Sequence, residues 1–170
     1  MIPLSSQSPA PADLDGCATA LGRIPSGLFI VTWRAADADR GMLASWVMQA
    51  GFEPPLVSVA VGTSRDLLGV IRTGGLFAVN VLAESQRSLL ARFGKPPAAG
   101  EDPFAGLAID RTPSGVATLA EAAGWMECRA VGEAVVVGAD HVLVLGRIEA
   151  AGGRPDAAPL LHVRRNGLKY

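Results

Sequence analysis

A chain of 170 residues, 49% of them hydrophobic, is long enough for a single domain with a full core. A net charge of −1 provides no basic field to hold a polyanion, which excludes nucleic acid as a main partner. No apolar run reaches the roughly 20 residues of a membrane span, so no membrane partner is expected either. Charged residues make up only 18%, a low share that points to some surface being buried against a partner. Residues 1–12 are rich in Ser and Pro and lack the basic-then-apolar layout of a signal peptide. They read as part of a disordered leader, 1–14, ahead of one domain spanning 15–170. Cys17 and Cys128 are far apart, with no His or Asp at ligand spacing. They read as reduced thiols of a cytoplasmic protein, and no metal site is expected.

In chain order, residues 15–23 predict a short helix with Leu14, Cys17, Ala18 and Leu21 on one side, ended by Pro25, Ser26 and Gly27. Residues 28–33 are β-branched and aromatic, as in a buried strand. A polar turn is expected over 35–41, a second strand over 42–49 and a third over 55–61. Their short connections favour an antiparallel meander, since a parallel crossover needs a dozen or more residues. Leu67, Leu68 and Ile71 have helical spacing in 66–73, with Thr63 and Asp66 as a possible capping box. A fourth strand is expected over 76–82, a second short helix over 85–93 and a Gly/Pro-rich loop over 94–106. Two long strands, 125–137 and 141–150, flank a turn at 138–140. A last short strand covers 160–164. Many strands with two inserted helices make a mainly β barrel rather than a doubly wound sheet.

The most informative stretch runs from Arg40 to Val61. Ala44 and Ser45 are small residues mid-strand, where backbone amides stay within reach of a planar ligand. Pro54-Pro55 forces an extended turn before the next strand. Local features alone favour a plain β-hairpin with small residues for packing.

The order of several segments adds a resemblance. Residues 20–32 (ALGRIPSGLFIVT), 43–47 (LASWV), 52–55 (FEPP), 77–82 (FAVNVL) and 140–146 (DHVLVLG) resemble, in this order, the flavin reductase-like, FMN-binding split-barrel family. The first two blocks look especially like the C-terminal flavin reductase module of diflavin flavoproteins. The resemblance covers about residues 15–170. It implies a mainly β FMN-binding split barrel with short inserted helices.

It also implies sites. Ala44, Ser45, Trp46 and Val47 match the strand lying along the isoalloxazine ring. Thr63, Ser64 and Arg65 match the turn near the ribityl phosphate, where hydroxyls, a guanidinium and a helix N-terminus would together favour an anion. Asp66 would repel phosphate and is expected to face away as a cap. Asn80 interrupts an apolar strand and needs partners, from the flavin edge or from neighbouring backbone. Arg87, Arg92, Phe93 and Lys95 form a basic, aromatic-tipped segment that could close over the flavin, receive dinucleotide phosphates, or simply be a solvated face. His141, after Asp140 at a strand entry, matches the position facing the nicotinamide and is the candidate catalytic residue; a turn histidine bonded by Asp140 is the alternative. His162 reads as structural, and Tyr170 as a loose terminus.

The function implied is an NAD(P)H:flavin oxidoreductase. FMN, or FAD, would take hydride from NAD(P)H and pass electrons to a free flavin, an iron complex or a partner oxygenase. A non-catalytic FMN electron carrier is the alternative, and a haem-binding barrel ranks last. No GxGxxG follows a strand and opens a helix, as expected of reductases that bind dinucleotides without a Rossmann site. The resemblance implies a homodimer, which agrees with the low surface charge.

Overall fold

The computed structural model describes residues 13–98, 100–132, 135–136 and 140–168, with the backbone alone at 135–136. The leader expected at the N-terminus lies mostly outside the described residues, as does Tyr170. Asp13 and Leu14, assigned to that leader, instead cap and open helix α1 (Leu14–Gly22): the Asp13 carboxylate accepts from the N–H groups of Asp15 and Gly16 at 3.1 and 3.0 Å. Residues 13–25 and 163–168 form one compact unit. Within it, Gly167 N–H donates to Ala18 O at 2.8 Å. Gly22 lies so close to the Arg164 carbonyl that a Cβ there would come within 2.9 Å.

The second unit, Ser26–His162, holds the sheet. Its elements are β1 (Ser26–Gly27), β2 (Phe29–Ala35), β3 (Ala38–Ala44), β4 (Val47–Phe52), β5 (Pro55–Gly62), α2 (Leu67–Arg72), β6 (Leu76–Val81), α3 (Leu89–Phe93), β7 (Ile109–Arg111), β8 (Ala117–Leu119), β9 (Gly124–Ala130), β10 (Val135–Val136), β11 (His141–Gly153) and β12 (Leu161–His162). The main sheet is antiparallel in the order β3-β2-β6-β9-β11-β5-β4, with β10 pairing β11. Its two end strands, β3 and β4, are consecutive in the chain and joined only by Ser45 and Trp46. That short link brings the two ends of the sheet together, β3 touches β5, and the sheet curls into the expected mainly β split barrel.

Several boundaries differ from expectation, each for a physical reason. The polar turn is only Ala36-Asp37, both at positive φ (48° and 63°), which is the two-residue turn whose twist matches an antiparallel pair. The strand expected over 42–49 is two strands, because the chain changes partner from β2 to β5 at Ser45-Trp46. The meander is therefore wrong: β3 and β4 do not pair. The helix expected over 85–93 is a 3₁₀ turn (Glu84–Gln86) followed by α3. Ser26-Gly27, read as a helix stop, pairs with β12. The β7–β8 hairpin was not expected at all.

Both faces of β2 are covered, which explains its nearly continuous apolar run. Val31 and Trp33 join Met42, Val59, Leu67, Phe77, Cys128 and Val144 in one core. Leu28 and Ile30 join Leu82, Phe93, Phe104, Leu119 and Leu160 in a second. A polar pin crosses this second layer. Asn80, fully buried, donates from Nδ2 to Ile30 O at 2.9 Å and to Thr32 Oγ1 at 3.3 Å, and its Oδ1 accepts from Leu119 N–H at 2.9 Å. Thr32 Oγ1 in turn donates to Ala117 O at 2.6 Å. These bonds hold β8 against β2 and β6.

The two thiols are both free but differ sharply in environment. Cys128 is fully buried, and burial first, then the nearby Glu127 and Glu149 carboxylates, pushes its thiol up to about 12. Cys17 is half-buried. Titration of native protein with a thiol reagent at pH 8 should therefore modify Cys17 alone, and Cys128 should react only on unfolding. Rapid modification of both in the native state would contradict this packing.

Candidate functional site

Leaving β3, the chain carries Ser45 and Trp46 out of one ladder and into another. Ala44 pairs with Phe29, and two residues later Trp46 O accepts from Ala60 N–H of β5 at 3.0 Å. Ala44 and Ser45 are buried, whereas Trp46 stays 44% exposed. The last residue of β5, Gly62, pairs with the first of β11, His141. One residue further on, Thr63 N–H donates to Asp140 O at 2.9 Å. Arg65 N–H then closes a turn onto Gly62 O at 3.0 Å.

Three sequence-predicted groups thus meet at one place. The Trp46 and His141 rings lie 4.8 Å apart, tilted by 55°. Gly62 lies between Arg65 and His141: a Cβ there would come within ordinary van der Waals contact of Arg65 Cγ at 3.8 Å and His141 Nε2 at 4.0 Å. Thr63 and Ser64, which follow it, are exposed, and Arg65 is half-buried. The His141 side chain is 19% exposed; its Nδ1 is buried and lies 2.9 Å from Asp140 Oδ1, off the line of an ideal hydrogen bond. The imidazole holds the exposed Asp140 carboxyl below the usual carboxylate range. The assembly brings an aromatic ring, an imidazole, two hydroxyls and a guanidinium together around Gly62, where the Trp46–His141 notch lies. It suits a planar ligand with an anionic tail. Gly62 was missed from the sequence; only its missing side chain, one residue before Thr63, signalled it.

Other predicted residues lie elsewhere. Asn80 spends its amide on internal partners and is not available to a ligand edge. Phe93 is 1% exposed, packed on Phe104 with ring centroids 5.3 Å apart, so it is core and cannot close over a ligand. Lys95 is exposed just beyond α3, and Arg92 donates to Ala105 O. The Thr63–Asp66 capping box does not form, since Asp66 makes no side-chain cap bond. Helix α2 has only six residues, too few for its N-terminus to add much to anion binding, which leaves Arg65 and the hydroxyls. A separate cavity of about 560 Å³, lined by Asp39, Arg40, Phe104 and Arg111 among others, contains none of the predicted site residues. Among the described residues, no three His, Cys, Asp or Glu side chains group as metal ligands, and no helix is long and apolar enough to cross a membrane.

Known proteins share this chain's sequence and fold. The chain is 31% identical over 153 residues to diflavin flavoprotein A 1 of Synechocystis sp. (strain ATCC 27184 / PCC 6803 / Kazusa), covering 89% of this chain. It spans only 26% of that relative's length. Among solved structures it is similar to an NADH:FAD oxidoreductase of Streptomyces globisporus C-1027, with a TM-score of 0.80, 26% identity, and coverage of 94% of this chain and 93% of that one. It is also similar to the styrene monooxygenase flavin reductase of Pseudomonas putida S12, with a TM-score of 0.73, 27% identity, and coverage of 86% and 91%. Residues 21–167 match the flavin reductase like domain, and with that match this chain belongs to the flavin reductase-like family.

Proposed function

We propose that this chain is an NAD(P)H:flavin oxidoreductase that binds FMN, or FAD, at the Trp46–His141 notch. The observation that carries the reading is the meeting of Trp46, His141 and the Gly62–Arg65 turn at one place. The residues fit a flavin mononucleotide. The chain crossing at Ala44–Val47 presents backbone beside a planar ring. Gly62 adds no side chain of its own between Arg65 and His141. Thr63, Ser64 and Arg65 supply donors for a phosphate. A bound flavin would supply the two-electron chemistry, accepting hydride from the dinucleotide, which leaves as NAD(P)⁺. The chain's own part is to bind, to orient and to exclude water. Trp46 and His141 wall the site, His141 positions the nicotinamide, and Arg65 holds the phosphate. The electron acceptor would be a free flavin, an iron complex or a partner oxygenase, as the name of the styrene monooxygenase neighbour invites. The free thiols of Cys17 and Cys128 suit a reducing cytoplasm.

A homodimer belongs to the same proposal. At the end of the sheet, β4 pairs with β5 alone among the described strands, and it exposes Met48 (71%) and Phe52 (93%). An unpaired edge carrying large apolar side chains is what a second copy would cover. Light scattering should give twice the mass of one chain, and a monomer retaining full flavin would show that the site does not need a second copy.

Two substitutions test the site. His141→Ala should slow anaerobic bleaching of bound flavin by NAD(P)H by on the order of 10²-fold, with FMN affinity and dithionite reduction unchanged. A variant that melts earlier but bleaches at the wild-type rate would make His141 merely structural. If neither dinucleotide bleaches the wild-type protein, the chain is an electron carrier instead. Arg65→Ala should weaken FMN binding by roughly 1.5–3 kcal/mol and leave riboflavin binding nearly unchanged. Equal losses for the two ligands would show that Arg65 does not read the phosphate.

A further inference from the structure

The cavity of about 560 Å³ at the start of β3 has the size of a small-molecule site and shares no residue with the Trp46–His141 notch. Pro103, Phe104 and Ile109 give it an apolar wall; the first two are buried and Ile109 is half-buried. Asp39 and Arg111 neutralise each other, both carboxylate oxygens accepting guanidinium N–H groups at 2.7 Å. Arg40 has no such partner. Its guanidinium makes no hydrogen bond or ion pair with any described residue, although its Nε is buried. A guanidinium is always charged and carries five N–H donors, so the fold gains nothing from holding it unpaired.

Two carboxylates line the same cavity, Glu101 and Asp102. Each spends one oxygen on its own loop. Glu101 Oε2 accepts from Ala98 N–H at 2.9 Å, and Asp102 Oδ1 accepts from Phe104 N–H at 2.8 Å. Their other oxygens accept no bond from any described residue, and neither carboxylate pairs with Arg40. The cavity therefore has a positive pole on β3, a negative pole on residues 101–102 and an apolar wall, and its poles do not neutralise each other. A plain anion would meet the two carboxylates, and a plain cation would meet Arg40. A molecule with both charges and an apolar body satisfies all three surfaces.

We propose that this cavity binds a free α-amino acid with an apolar side chain. Arg40 takes the α-carboxylate, Glu101 and Asp102 take the α-ammonium, and the side chain lies against Pro103, Phe104 and Ile109. The proposal stands apart from the reading of the notch, since no residue is common to the two.

The test is isothermal titration calorimetry with FMN present to occupy the notch. L-Phenylalanine or L-leucine should give a saturable one-to-one heat. 3-Phenylpropionate, which lacks the ammonium, and phenethylamine, which lacks the carboxylate, should each bind at least about 10-fold more weakly than L-phenylalanine. Arg40→Met keeps the apolar stem and should weaken amino-acid binding about 10- to 100-fold. Its Tm should not fall, because the charge removed has no partner in the fold. The double variant Glu101→Gln/Asp102→Asn keeps the oxygens that serve Ala98 and Phe104. It should weaken L-phenylalanine binding about 10-fold or more and leave 3-phenylpropionate no weaker than in wild type. No saturable heat with either amino acid at millimolar concentration overturns the proposal, as does full affinity in either variant. Binding of 3-phenylpropionate equal to that of L-phenylalanine overturns the assignment of a zwitterion. If Arg40→Met melts earlier, its loss of affinity no longer supports the site, and the double variant decides: unchanged affinity there overturns the proposal.

Discussion

Ala44 ends one edge strand of the sheet and Val47 begins the other, so a link of two residues, about 10 Å at full stretch, spans the two ends of a seven-strand path. A flat sheet of that width cannot satisfy the link, and the sheet has to curl. The same link places Trp46 where it leaves one ladder for another. It stands next to His141 because β5 and β11, which carry Gly62 and His141 in register, receive the crossing chain. Closure of the barrel and the placing of Trp46 beside His141 therefore depend on the same link. A change that lengthened the link would loosen both.

The rest of the second unit supports that closure from outside. Leu89 and Phe93 of α3, together with Phe104, Leu119 and Leu160, cover the outer face of β2 and β6. A buried amide in such a layer would cost dearly if left unpaired. Asn80 is instead fully used, tying Ile30 and Thr32 on β2 to Leu119 on β8. Short strands of three residues, which pairing alone would hold weakly, are fixed by side-chain bonds to the sheet beneath.

The barrel class was legible because buried strands and turn residues announce themselves locally. β2 reads as apolar throughout since both its faces are covered, and the His141 strand begins after a polar turn. What was not legible depends on distant partners. The break at Ser45-Trp46 has no local signal, because residues 42–49 read as one strand and only a change of partner divides them. Asn80 was weighed between a ligand edge and internal backbone, and the deciding atom, Leu119 N–H, lies 39 residues away. Phe93 shares its helix with exposed basic residues, yet its ring turns inward to Phe104, which no charge pattern reveals. The two-residue pairing of Ser26-Gly27 with Leu161-His162 is too short for any periodicity. The site residues that did come together, Trp46, Arg65 and His141, lie at ends of elements, where turn chemistry marks them.

The central proposal is that this chain, as a homodimer, holds a flavin at the Trp46–His141 notch and accepts hydride there from a nicotinamide. Its most direct test is anaerobic stopped-flow mixing of the FMN-loaded protein with NADH and NADPH, each with hydrogen or deuterium at the transferred C4 position. The account predicts that at least one dinucleotide bleaches the visible flavin band in a single turnover, and that deuterium slows this step. Failure of the protein to retain flavin, or a bound flavin that neither dinucleotide reduces, would contradict it.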